Sequence, residues 1–175
     1  FYGLSGSVGT VDRAIVVLGL NAVRGIAAAA CLDQAIGRSR ASTVEPRQLL
    51  RHSVATGAAA QMLAGIRHPA LAPEAFIAGL LHDLGMVIAD KVAAAVPGAA
   101  VNLHARIAAI VFAEWNLPAS LITATEFHDE PLAAAADQRV LASLVHLADQ
   151  LSRGCGLAVD NETGEHASHA VDCIP

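Results

Sequence analysis

The sequence is poor in aromatic residues, in charged residues and in regular alternation of apolar and polar positions. Only 3% of its 175 residues are aromatic and 15% are charged. Strands favour aromatic and β-branched side chains, and a half-buried strand needs a period-two pattern that no segment here sustains. We therefore expect no β-sheet.

Cysteine is scarce as well. Cys31, Cys155 and Cys173 are far apart, odd in number and form no CxxC pair. This pattern offers no disulfide framework and suits a reducing compartment. The visible start also lacks a basic segment followed by an apolar core, so it shows no export signal. Together these observations predict a cytoplasmic protein.

Basic residues are neither numerous nor clustered. The chain has 11 Lys and Arg against 16 Asp and Glu, for a net charge of −5. Proteins that bind nucleic acid carry a basic patch or stripe along which the phosphates lie. No nucleic-acid partner is therefore expected.

The mean hydropathy of +0.50 is high enough to raise the question of a membrane span. Such a span needs about 20 predominantly apolar residues, and no window of that length is free of charges and helix breakers. The nearest candidate, residues 92–117, is predicted to be buried helix because it is interrupted by Pro97, Gly98, His104, Arg106 and Glu114. No membrane contact is expected.

Alanine is abundant in a chain that is 54% hydrophobic. Alanine costs least to place in a helix, and small side chains let helices approach closely. We predict an all-α bundle: one domain over residues 1–155, followed by a tail over 156–175. Glycine, proline and polar turns divide the predicted helices at residues 11–18, 21–36, 46–66, 74–84, 85–96, 101–115, 119–127 and 137–153.

A histidine directly beside an aspartate gives the strongest local signal, in residues 79–85, GLLHDLG. The His82 imidazole and the Asp83 carboxylate would suit a divalent transition metal such as Fe, Mn, Ni or Zn. The pair alone is a weak signal, since a hydrogen-bonded core histidine beside a helix-ending acid fits equally well.

Other predicted helices supply further donors. His52 and His104 lie on two of them, His128 at the end of a third, and Asp149 borders the apolar face of the last one. A carboxylate in that position needs a partner, because burying an unpaired charge is costly. Donors from separate helices that meet at one point are how helical bundles build metal centres.

The order His52, His82–Asp83, Asp149 resembles the H…HD…D signature of HD-superfamily metal-dependent phosphohydrolases. The resemblance implies an HD-type helical bundle in which these four residues hold a metal ion. His104 and His128 match further histidines of the HD-GYP branch, so one or two ions are implied.

The surrounding motifs are closer to the HD-related output domain, and the resemblance extends over about residues 1–153. Residues 75–85, AFIAGLLHDLG, resemble that family's AF-x-x-GLLHDIG core. Its HA, W-x-LP and HHxP motifs are matched by residues 104–105, 115–118 and 128–131. Members usually sit beside receiver or other regulatory domains in bacterial signalling proteins. The resemblance thus implies a regulatory protein partner or a fused signalling domain, and a helical lobe before Phe1.

Several positions depart from the related patterns. The GYP signature is missing, and Met86 stands where HD-GYP phosphodiesterases usually carry lysine. Asp129 replaces the second histidine of the HH pair, although aspartate can also bind metal. The interval from Asp90 to His104 is shorter than usual, so either this protein has a deletion or a segment is missing from the sequence.

Two functions from different classes follow. The favoured one is a signal-transduction output module in which the metal is structural or vestigial. The alternative is a metal-dependent phosphohydrolase acting on a nucleotide or cyclic dinucleotide, with Asp83 bridging metal and water as its catalytic residue. The missing GYP signature and Met86 argue against cyclic-dinucleotide cleavage, and a nucleotide or phosphate ligand remains part of the alternative.

The remaining residues carry weaker expectations. Trp115 is expected to anchor the core, and His146 to lie on the helix surface or to orient Asp149. The low charge predicts an apolar surface that contacts the lobe expected before Phe1 or a second subunit in a homo-oligomer.

Overall fold

The computed structural model describes residues 45–95 and 104–159, and over these ranges it is helical with no strand. The all-α prediction is therefore confirmed. Short 3₁₀ turns lie at Pro69–Leu71 and Pro131–Ala133, and a π-helical turn at Arg153–Leu157. The helices of the described ranges are α1 Pro46–Arg67, α2 Ala72–Leu81, α3 Leu84–Ala95, α4 His104–Glu114, α5 Ala119–Glu126 and α6 Arg139–Ser152.

Most predicted boundaries agree with these helices within about three residues. The predicted helix over residues 74–84 nevertheless includes a break that was not predicted, because α2 ends at Leu81 and α3 begins at Leu84. His82 and Asp83 therefore occupy a two-residue turn between two helices. The helices predicted at 11–18 and 21–36, and nearly all of the predicted tail, lie outside the described residues.

Local sequence explains the ends of α1. The Glu45 carboxylate accepts a hydrogen bond from the backbone N–H of Gln48 at 2.6 Å, and Pro46 occupies the first turn. An acidic N-cap and an early proline both favour helix initiation. Pro69 follows the C-cap residue His68 and disfavours continuation of the helix.

The helices pack around two apolar clusters. α1 contacts α2 and α6, α3 contacts α4, and α4 and α6 both contact α5. The larger side chains of the first cluster include Leu80 and Phe112, while alanine dominates the second. The expectation that Trp115 anchors the core is wrong: its side chain is 59% exposed and covers the ring of Phe112, which is buried.

A pair of glycines brings α1 and α2 into backbone contact. A Cβ atom on Gly57 would lie 2.8 Å from the Phe76 carbonyl oxygen, and one on Gly79 would lie 2.9 Å from the Cα of Gly57. Neither position has space for a side chain. His52 lies just before this crossing along α1 and His82 just after it, so the crossing sets how closely the two imidazoles approach.

Among the residues that the structure describes, one segment, Pro69–Ala89, is long and apolar enough to cross a membrane by length and composition. In the structure 56% of its most apolar window is buried, and His82 and Asp83 interrupt it. Core helices of a helical bundle pass the same test, and the segment contains α2 and the first half of α3, which pack in the core.

The glycine crossing generates a stability prediction. Gly57→Ala should destabilise the protein by about 1–3 kcal/mol, since the added methyl group overpacks a backbone contact. Gly65→Ala is the matched control in the same helix, because no atom lies within 4 Å of the added Cβ; it should stabilise by about 0.5–1 kcal/mol. Urea unfolding of both variants measures the difference, and equal effects would contradict the close approach.

Candidate metal centre

Four side chains from three parts of the bundle meet at the first site. α1 provides His52, the α2–α3 turn provides His82 and Asp83, and α6 provides Asp149. The Nε2 atom of His52 lies 3.0 Å from Asp149 Oδ1 and 3.3 Å from Asp83 Oδ2. The Nε2 atom of His82 lies 3.2 Å from Asp83 Oδ2 and 3.7 Å from Asp149 Oδ1. We call this set the inner site.

The spacing of these atoms fits one metal ion. Metal–nitrogen and metal–oxygen bonds of about 2.0–2.2 Å place neighbouring donors roughly 3.0–3.5 Å apart in tetrahedral or octahedral coordination. The two imidazole Nε2 atoms are 3.3 Å apart, and every side chain of the inner site is at most 2% exposed. The inner site is therefore closed by protein on all sides.

Two further histidines lie against the other oxygen of Asp83. His104 opens α4 and His128 follows α5, and the Nε2 atom of each lies 3.6 Å from Asp83 Oδ1. Their Nε2 atoms are 3.4 Å apart. We call His104, His128 and Asp83 Oδ1 the outer site. Asp83 thus faces the inner site with one oxygen and the outer site with the other.

Gly85 explains how His104 reaches Asp83. A Cβ atom on Gly85 would overlap with the backbone carbonyl of His104. The start of α3 therefore touches the start of α4, only two residues after Asp83. The glycine that ends the GLLHDLG motif brings the outer site together.

Backbone carbonyls orient three of the imidazoles. The Nδ1 atoms donate hydrogen bonds from His52 to Leu157 at 2.9 Å, from His82 to Gly79 at 2.7 Å and from His128 to Thr125 at 2.7 Å. A carbonyl oxygen only accepts, so each Nδ1 carries the proton. In the neutral ring the Nε2 atom then presents a lone pair, the arrangement that metal-binding histidines usually show.

The Asp83 carboxylate shows whether these residues fit a cation. Both oxygens are buried, and neither has a hydrogen-bond partner among the residues that the structure describes. An unpaired buried carboxylate costs several kcal/mol. Four imidazole nitrogens surround it at 3.2–3.6 Å, and they balance its charge only with bound protons or a shared cation. The donors fit a divalent transition metal.

The pKa shifts show where positive charge is favoured. Burial alone would lower the pKa of His82, but Asp83 and Asp149 outweigh it and raise the pKa to about 10. The pKa of His52 is also raised, against burial, by the same two carboxylates. The pKa of Asp83 is held well below its usual value, against burial, chiefly by His82. Without metal, the inner site therefore holds protons where a cation would sit.

The outer site behaves differently. Burial and repulsion from His82 lower the pKa of His128, and the nearby carboxylates only partly oppose this. His128 is therefore neutral near pH 7, and its Nε2 atom carries a lone pair.

Two supporting residues lie outside the predicted set. Arg153 Nε donates to the Asp149 oxygens at 2.9 and 2.8 Å. The i, i+4 spacing of this pair on one helix was the available sequence signal. His146 does not orient Asp149, as one expectation had it: its Nδ1 donates to the backbone carbonyl of His128 at 2.8 Å. It holds the loop that carries an outer-site ligand.

The structure brings all six predicted ligands together, as His52, His82, Asp83 and Asp149 in the inner site, with His104 and His128 beside the second oxygen of Asp83. A helical bundle with a His-Asp centre in a turn between helices defines the class: an HD-type domain. The model of the HDOD domain matches residues 1–103, which is more than half of the chain. This chain belongs to the HDOD family.

The matched part contains His52, His82 and Asp83 and ends before His104, so it is shorter than the resemblance found by motif. No curated protein matches the chain.

Two solved structures resemble the described fold. A candidate phosphohydrolase from Shewanella amazonensis SB2B is 25% identical, with a TM-score of 0.68 over 89% of this chain. A candidate signal transduction protein from Marinobacter aquaeolei VT8 is 22% identical, with a TM-score of 0.67 over 90% of this chain. The chain spans 63% and 40% of the lengths of these two proteins.

The raised pKa values generate a prediction for metal binding. A metal ion must displace the proton of His82, whose pKa is raised to about 10, so its affinity should rise by about tenfold per pH unit between pH 6 and pH 8. Calorimetric titration of metal-free protein with Mn²⁺, in buffers of different ionisation enthalpy, counts the released protons. Heats that do not depend on the buffer would contradict the prediction.

The same shifts set the pH dependence of the metal-free fold. A histidine pKa that is raised on folding adds stability that is fully present below about pH 6.5. For His82 that stability is lost as the pH rises toward about 10. Urea unfolding in the presence of chelator should show this decline.

Proposed function

We propose that this chain is a cytoplasmic signal-transduction output module of the HDOD type that binds a divalent transition metal ion at its inner site. Membership of the HDOD family supports the module, and the likeness to a candidate signal transduction protein is consistent with it. The observation that carries the metal is the fully buried Asp83 carboxylate, surrounded by four imidazole nitrogens and without a hydrogen bond in the described structure. The ion is Fe, Mn, Ni or Zn.

The closed inner site supports a structural role for its ion. Four protein ligands and no open position are typical of structural metal sites. His52, Asp149 and the His82–Asp83 turn belong to α1, α6 and the α2–α3 junction, so a bound ion would cross-link three parts of the bundle. An ion that binds only the folded state stabilises it by mass action.

In this role the domain acts through contacts rather than chemistry. Its partner would be a regulatory protein, a signalling domain fused to it, or a second copy of the chain.

Phosphohydrolase activity on a nucleotide is the second candidate function. The specific observation in its favour is the outer site, which shares Asp83 with the inner one and lies next to exposed groups. Adjacent divalent ions would lower the pKa of a water molecule and neutralise charge on phosphoryl oxygens. Asp83 would act as the catalytic residue because it could contact both a metal ion and the water bound to it, and a phosphate would approach from the side of His104, which is 13% exposed.

Met86 weighs against cyclic-dinucleotide cleavage. It is 9% exposed and packs in the apolar cluster with Leu49 and Leu80. The position at which HD-GYP enzymes usually carry a lysine thus supplies no charge to a phosphate here.

Metal content tests the proposal. Elemental analysis of protein purified without chelator should find at least about one metal ion per chain. Asp149→Ala should lose the inner ion, and Asp83→Ala should lose all bound metal because it removes a donor from both sites. Asp137→Ala, which removes an exposed carboxylate elsewhere, should match the wild type. A wild-type protein that holds no metal and takes up none when offered would overturn the metal-binding proposal.

Turnover separates the two functions. The output-module proposal expects no hydrolysis of nucleotides or generic phosphodiesters by the metal-loaded protein. Hydrolysis that disappears in Asp83→Ala but persists in Asp137→Ala would establish the phosphohydrolase instead.

A further inference from the structure

The Asp129 side chain faces both histidines of the outer site. Its Oδ1 lies 3.5 Å from His128 Nε2 and its Oδ2 lies 3.7 Å from His104 Nε2. These distances match those that join the same nitrogens to Asp83 Oδ1. Within the described ranges, the Asp129 carboxylate forms no ion pair with lysine or arginine.

The backbone around Asp129 is fixed from two directions. His128, the preceding residue, donates from Nδ1 to the carbonyl of Thr125, and the His128 carbonyl accepts a hydrogen bond from His146 on α6. Both bonds anchor the residue that immediately precedes Asp129. These two bonds hold the loop in the position that places the Asp129 carboxylate beside the outer site.

We propose that Asp129 is a ligand of an ion in the outer site, which then has two imidazoles and two carboxylates as donors. The proposal rests on the metal-binding function proposed above. It goes beyond that function because it adds a donor to the second site and predicts how the two sites differ. Asp129 faces one histidine with each oxygen, a pose suited to bidentate binding.

Exposure distinguishes the two sites. The inner donors are at most 2% exposed, whereas Asp129 is 54% exposed and His104 13%. The outer ion therefore meets solvent and exchanges, while the inner ion is retained. A carboxylate in place of an imidazole also shifts preference toward harder ions such as Mn²⁺.

Calorimetric titration of the full metal-free chain with Mn²⁺ tests the proposal. The wild type should bind two ions, one tightly and one more weakly. Asp129→Asn removes the charge at nearly constant size and should weaken the second ion at least tenfold while leaving the first unchanged. Glu130→Gln, which neutralises the neighbouring exposed carboxylate, should bind both ions as the wild type does.

A second variant tests the chemistry of the donor. Asp129→His should lower the affinity of the outer site for Mn²⁺ relative to Co²⁺ by at least tenfold, because imidazole is the softer ligand. The unchanged inner ion reports that each variant is folded.

The outcomes are distinguishable. A wild type that binds no metal overturns both the proposed function and this inference. A wild type that binds one ion, or an Asp129→Asn variant that still binds two as tightly, overturns this inference alone and leaves the inner site standing.

Discussion

Burial of one carboxylate without hydrogen bonds is the constraint on which the rest of the site depends. Asp83 is fully buried, and in the described structure no donor satisfies either oxygen. Its charge is acceptable only if positive charge is shared with it. The surrounding architecture supplies groups that can hold a proton or a metal ion: α1, the α2–α3 turn, α4 and the end of α5 each direct an imidazole nitrogen at the carboxylate. Removing any one of these elements would leave the buried Asp83 carboxylate with fewer imidazole partners.

Small residues make this convergence possible. Gly57 and Gly79 let α1 and α2 touch through their backbones, and Gly85 does the same for α3 and α4. Alanine fills much of the second core cluster. Each of these residues buries little apolar area, so the hydrophobic contribution per helix contact is modest. In a core built from such small side chains, the polar contacts at the centre of the bundle complement the modest contribution of the apolar contacts.

Much of the fold and the site could be predicted, and the failures have a common cause. Helix type and extent followed from alanine content and from punctuation such as Pro46 and Pro69. The residues that meet at the centre were named from the resemblance to HD-type motifs, and the structure brings them together. The break in helix at His82–Asp83 could not be read, because leucines on both sides continue the helical pattern. The hydrogen bond from His52 to the backbone carbonyl of Leu157 could not be predicted either, because every residue offers the same backbone acceptor. The exposure of Trp115 depends on how its ring packs against neighbouring side chains in three dimensions. The spacing of apolar residues along the sequence does not contain that information.

The inner and outer sites differ in the protonation of their histidines before a cation binds. The inner site is closed and has the histidine whose pKa is raised to about 10, so a metal ion would enter it by displacing protons. The outer site is partly open and has His128, whose pKa is lowered, so its lone pair is free near pH 7. A closed, proton-competing site suits an ion that is installed once and retained. An open site with ready ligands suits an ion that exchanges or accepts an outside group. The two oxygens of Asp83 thus face a closed site and a partly open one.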